Sequence, residues 1–166
     1  MLGMILADQT TLRMPTRASC QAGAMATLGR RVLARAVEDC RAEEGTLWLL
    51  SADRQVMEGT LNVGKTPDVM ESLSVPITQS VVGMVASTGV SASIGPEDYH
   101  HPVATRAGAA DTLAMIAAPV LIKGKLAGVV SAINPRGGGL FSADDLERLS
   151  FNAYVLGLML ADTHGL

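Results

Sequence analysis

Residues Ala114–Asn134 read A-M-I-A-A-P-V-L-I-K-G-K-L-A-G-V-V-S-A-I-N. Two apolar runs, Thr112–Ile122 and Lys125–Asn134, flank the pair Lys123-Gly124. Apolar runs meeting at a short glycine-containing turn predict the two strands of a β-hairpin. Beyond them, Pro135-Arg136-Gly137-Gly138-Gly139 predicts a flexible loop. No Lys-Ser/Thr follows these glycines, so they do not form a phosphate cradle. Ser142 then caps a last helix, with Asp145 completing a variant of the capping box. That helix runs to about Thr163, with Gly165 beyond it.

Upstream, the period is helical. Met25, Leu28, Val32 and Ala36 form one stripe, and Leu33, Val37 and Cys40 a second, predicting a helix over Arg17–Glu44. Arginines at 30, 31 and 35 and acids at 38, 39, 43 and 44 mark its wet side, and Gly45 is the expected stop. Thr46–Ser51 suits a central strand, Ala52–Gln55 a turn and Gln55–Val63 a second strand. Thr66 and Pro67 open a short helix. Leu73–Thr78 is a short strand, Ser80 caps a helix over Val81–Ser87 ended by Gly89, and Ser91–Ile94 is a brief strand. Gly95–Asp111 is a long connection. Residues 1–16 have no clear period and read as a loose arm ahead of a single domain over 17–166.

The chain has 166 residues, of which 48% are hydrophobic, 17% charged and 3% aromatic. The apolar share excludes a disordered chain. With 13 Lys+Arg against 16 Asp+Glu, the net charge is 13 − 16 = −3, and there is no basic cluster to meet nucleic acid. Mean hydropathy is +0.30, yet the most apolar uncharged run, Leu149–Ala161, is far short of the ~20 residues a span needs. Met1–Thr16 lacks a basic leader, so the cytoplasm is the expected compartment. The two cysteines, Cys20 and Cys40, fall on one predicted helix about 30 Å apart. A disulfide needs Cα atoms within about 7 Å, so they are expected to be thiols.

The low charge leaves apolar surface to hide. The last helix carries Leu146, Leu149, Ala153, Leu156 and Leu160 on one stripe and Phe151, Val155, Leu158 and Met159 on another. One stripe covers a core. The second is expected either to meet the helix of a second chain or to pack on the first helix of its own chain.

Gly59-Thr60-Leu61-Asn62-Val63-Gly64-Lys65-Thr66 matches the phosphate-loop pattern G-x-x-x-x-G-K-[ST]. Its context is wrong. No buried strand precedes Gly59, Thr60–Val63 reads as strand, and Pro67 turns Thr66 away from helical angles. Nucleotide hydrolysis is not expected.

From Ser80 the order S-V-V-G-M-V-A-S-T-G-V, S-I-G-P-E-D, A-M-I-A-A-P-V-L-I-K-G-K-L-A-G-V-V-S-A-I-N and F-S-A-D-D-L-E-R-L resembles a GAF domain. Gly83, Thr88-Gly89, Pro119 closing a strand segment, Gly124, Gly128 and the Phe141–Leu149 helix entry carry the resemblance. It reaches back through T-L-W-L-L to the first helix, over roughly residues 17–163. It implies an α+β fold with a central antiparallel sheet of five or six strands. The N- and C-terminal helices would pack on one face, and a loop-covered ligand pocket would lie on the other. It also implies a sensory module that dimerises through its terminal helices. Cyclic-nucleotide-binding members carry an Asn-Lys pair, a Phe and an Asp-Glu pair. Asn134, Phe141 and Asp145 match here, but Pro135 and Leu146 replace the Lys and the Glu. Free methionine sulfoxide reductases and bilin-bearing members need pocket cysteines that this chain lacks.

The expected ligand contacts are Tyr99, His100, His101, Arg106, Asp111 and Thr112 over a floor that includes Trp48 and Met115. Five of them have a plainer alternative: solvated loop residues for the two histidines and Arg106, a turn residue for Asp111, core for Trp48. A histidine of this pair is chemically able to ligate haem iron. The cofactor is left unnamed and no metal site is expected. The sequence therefore predicts a non-enzymatic sensory or regulatory module. It would bind a small molecule and act through helix-mediated homodimerisation or a partner protein, without nucleic acid or membrane. The alternatives are a ligand-free dimerisation module and an enzyme using the same pocket. With so few aromatic residues to stack on a flat ligand, a small or anionic one is expected, or none.

Overall fold

The structure, a computed structural model, describes residues 17–65, 67–98 and 112–163. The arm predicted over residues 1–16 lies outside them. In chain order the elements are α1 (Arg17–Asp39), β1 (Ala42–Leu50), β2 (Val56–Val63), α2 (Pro67–Met70) and β3 (Ser74–Pro76). A 3-10 turn (Ile77–Gln79), α3 (Val81–Thr88), β4 (Ala92–Ile94), β5 (Met115–Ile122), β6 (Lys125–Pro135) and α4 (Ala143–Thr163) follow.

The hairpin forms as expected. Lys123 and Gly124 both take positive φ, 50° and 77°, the backbone that matches the right-handed twist of flanking strands. The strands join one sheet in the order β3-β2-β1-β6-β5-β4, each neighbouring pair antiparallel. Pro119 lies inside β5, opposite Val129, rather than closing it. β4 pairs only with Met115–Ala117, so among the described residues that edge of β5 has no partner strand beyond Ala117, a position in which a sheet tolerates proline.

The first helix is shorter than its periodicity suggested. It ends at Asp39, Arg41 reverses the chain at φ 53°, and β1 begins at Ala42. Gly45 is therefore a strand residue, not a helix stop. Its role is close approach, since a Cβ there would lie 2.5 Å from Val37 Cγ2 on α1. Glu44, expected on the wet face of a helix, is instead buried in the sheet. The glycine loop after β6 is anchored at its start. Arg136 donates from Nε to Ala42 O at 2.9 Å and pairs with both oxygens of Glu38.

Two apolar layers flank the sheet. On one face Leu33, Ala36 and Val37 of α1 and Leu149, Ala153 and Leu156 of α4 pack on Leu47, Ile116, Ala118, Val120, Val130 and Ala132. On the other, Met70, Val82 and Val85 pack with Trp48, Met57, Val75, Ala117 and Val129. Central strands covered on both faces explain the unbroken apolar runs in the sequence. α4 begins with the expected box: Asp145 N–H donates to Ser142 Oγ at 3.2 Å, and Ser142 N–H to Asp145 Oδ2 at 2.8 Å. Among the described residues no helix is long and apolar enough to cross a membrane.

Candidate functional site

Side chains alternate across a strand, which divides β1 between two environments. Gly45 and Leu47 face α1. Glu44, Thr46 and Trp48 therefore share the opposite face, where Trp48 joins the layer under α3. Thr46 sits directly opposite Asn62 on β2 and Ser131 on β6. The result is a row of polar side chains across three adjacent strands. Asn62 Nδ2 donates to Thr46 Oγ1 at 2.8 Å, and Trp48 Nε1 donates to Ser131 Oγ at 2.9 Å.

All of these groups are shut off from solvent. Thr46 and Asn62 are each 2% exposed and Glu44 7%. Two buried acceptors, Glu44 Oε1 and Asn62 Oδ1, have no hydrogen-bond partner among the described residues. Each such group costs about 1–3 kcal/mol, more when charged, so a fold that keeps two of them on one sheet face calls for an explanation. The Glu44 carboxyl fills the space beside Gly64, where a Cβ would collide with it.

Polar contacts tie this face to the terminal helix. Asn62 N–H donates to Glu71 Oε1 at 2.9 Å. Arg30 on α1 donates from Nη1 to the same Glu71 oxygen at 2.7 Å and to Asn62 O at 2.9 Å. The hydrogen bond from Arg30 holds the Glu71 carboxyl below the ordinary glutamate range against the opposing effect of burial, and Glu71 in turn raises Arg30.

Of the predicted site residues, Trp48 and Met115 are buried, and Thr112 is half-buried just ahead of β5. Trp48 packs in the layer under α3 and donates its indole N–H to Ser131 Oγ. Tyr99, His100, His101, Arg106 and Asp111 lie outside the described residues. Sequence reasoning missed Glu44, Thr46, Asn62 and Ser131. Glu44 was absorbed into a helix and Asn62 into the phosphate-loop match. The available signal was the alternation Glu44-x-Thr46-x-Trp48, visible only once β1 is known to start at Ala42.

Other candidate chemistry dissolves into structure. Gly59–Val63 is strand β2 and Lys65 is exposed, so the apparent phosphate loop makes no cradle. Asn134 Oδ1 accepts from Leu113 and Ala114 N–H at 2.8 and 3.3 Å, Phe141 is core and Asp145 caps α4. These three matches to the cyclic-nucleotide pattern therefore have folding tasks. Burial pushes the Cys40 thiol up to about 12, and its Sγ donates to Asp145 O. It is a core thiol, not a nucleophile. Among the described residues no three His, Cys, Asp or Glu side chains gather as a metal site.

A six-stranded antiparallel sheet with its first and last helices packed together on one face defines an α+β domain of one sheet and two terminal helices. The GAF domain family matches residues 25–160, and the chain belongs to that family. GAF domains generally serve as sensory or regulatory modules in signalling proteins. Its fold is similar to that of the GAF-B domain of DevS from Mycobacterium smegmatis. The TM-score is 0.68 at 20% identity, over 85% of this chain and 97% of that one. The GAF domain of an Acinetobacter phosphoenolpyruvate-protein phosphotransferase gives 0.71 at 15% identity, over 85% and 84%. The blue-light-absorbing form of the Thermosynechococcus elongatus PixJ GAF domain gives 0.70 at 11%, over 87% and 89%. At these identities the likeness is one of fold. No curated protein matches the chain.

Proposed function

We propose that this GAF domain is a non-enzymatic sensory module. A small molecule held on the sheet face opposite α1 and α4 is reported through those helices to a second copy of the chain or to a partner protein. The observation that carries the reading is the continuous polar path from Asn62 to α1. The Asn62 side chain lies on the ligand face, while its backbone N–H and C=O are held by Glu71 and Arg30. A ligand that moves Asn62 therefore pulls on α1, a differential contact of the kind a switch needs.

The output surface is α4. Phe151, Tyr154 and Leu158 are 66%, 60% and 53% exposed and recur at helical spacing on one side. Such an apolar stripe on an ordered helix supports homodimerisation. Met159, from the same sequence stripe, faces an apolar crevice with Met25 and Gly29 of α1, so the second stripe divides between the chain's own first helix and the outer surface.

A ligand-free dimerisation module is the second reading. It is favoured by the dense packing of Trp48 with Met57, Val82, Val85 and Val129, which occupies part of the same face. Native mass spectrometry of the chain purified from its own host separates the two. The sensory reading expects a dimer with added small-molecule mass that is lost on denaturation. A dimer without added mass from the host and after incubation with cell metabolites would establish the second reading. A strict monomer at micromolar concentration would overturn the second reading and would leave the sensory one only its partner-protein output.

A further inference from the structure

We propose that the ligand of this face is a small organic cation with several N–H donors, an alkylammonium or guanidinium compound, held by Glu44 Oε1 and Asn62 Oδ1. The proposal rests on the reading of this face as a ligand site and names the chemistry it selects. The two open positions are both acceptors. Asn62, in the orientation that donates Nδ2 to Thr46, turns its carbonyl oxygen away from that bond. Glu44 and Asn62 are diagonal neighbours on β1 and β2, because Gly45 pairs with Val63 and Thr46 with Asn62. Diagonal positions lie about 7–8 Å apart, a span that one ligand with two or more N–H groups bridges.

Charge points the same way. The ion pairs among the described residues are Arg30–Glu71, Arg35–Asp39 and Arg136–Glu38, and none of them uses Glu44. A buried carboxyl group normally takes a partner charge, and among the described residues Glu44 has none. Trp48 and the half-buried Ile133, which pairs with both Glu44 and Met115, supply apolar walls for the carbon part of such a molecule. An anion, which the scarcity of aromatic residues suggested, would meet Glu44 with like charge and leave both acceptors unpaired.

The test is titration calorimetry at constant ionic strength with methylguanidinium chloride and butylammonium chloride. Tetramethylammonium chloride serves as a cation without N–H donors, and sodium nitrate as an anion. The expected result is saturable binding of at least one N–H cation and none of tetramethylammonium. Glu44→Gln should weaken binding about tenfold to a hundredfold, the loss of one charged hydrogen bond. Asn62→Asp, which replaces the amide by a second carboxylate, should tighten it and remains informative if Glu44→Gln fails to fold. Lack of binding by both N–H cations, equal binding of tetramethylammonium, or cation binding unchanged in both variants would overturn the proposal. Nitrate binding that is lost in Thr46→Val, with no cation binding, would overturn the cation class while leaving the ligand face standing. No binding of any probe, together with no retained mass in native mass spectrometry, would remove both.

Discussion

Gly45 shows how much rests on a missing methyl group. The α1 helix crosses β1 so closely that any Cβ at this position meets Val37. Gly45→Val is expected to destabilise the fold by about 1–3 kcal/mol, the usual cost of overpacking a core, measured as a lowered urea midpoint at unchanged slope. Glu71 shows the same dependence in electrostatics. Its carboxyl is held below the ordinary range by the hydrogen bond from Arg30, so as pH falls the unfolded chain takes up this proton first. The stability it lends is full above the ordinary glutamate pKa of about 4.3 and is lost as pH drops through the lower folded value. Urea midpoints measured from pH 7 to pH 3 should fall less steeply in Glu71→Gln than in the parent. An identical acid limb in the two proteins would show that the Arg30–Glu71 pair contributes nothing.

Helix ends were legible from sequence where a side chain marks them and illegible where only the backbone does. Ser80 and Ser142 cap α3 and α4 as their hydroxyls predict, the first accepting from Gly83 N–H at 2.9 Å. Ser142→Ala removes the hydroxyl that accepts from Asp145 N–H, and should cost about 1 kcal/mol in thermal unfolding. The end of α1 is different. Polar residues continue the helical period through Glu44, and no proline or glycine interrupts them before Gly45. The stop comes from Arg41 adopting a left-handed backbone, which no local rule assigns to arginine. That single misplacement of about five residues hid β1's polar face.

In the proposed reading, sensing and output lie on opposite sides of one sheet. α1 and α4 cover the first face, the Glu44–Asn62–Thr46–Ser131 row lies on the second, and Arg30 of α1 binds the Asn62 carbonyl on β2 between them. If α4 is the dimer seam, Phe151→Glu combined with Leu158→Glu should convert the dimer to monomer in light scattering. Against the parent diluted to monomer, the unfolding free energy of the variant should stay within about 0.5 kcal/mol, because both side chains are exposed. A parent chain that is already monomeric would remove the seam.

The family, the hairpin, the central strands and the capped helices follow from local periodicity and turn chemistry, because those signals depend on neighbours within a few positions of the chain. The polar row does not. Glu44, Asn62 and Ser131 are separated by tens of residues, and each looks unremarkable in its own segment. Their meaning arises from register. Once β2, β1 and β6 pair, Asn62, Thr46 and Ser131 lie side by side and Glu44 stands diagonally to Asn62, all turned from water onto one face. Burial and unpaired acceptors are properties of that assembled surface, set by which strands become neighbours and by how closely α1 approaches them.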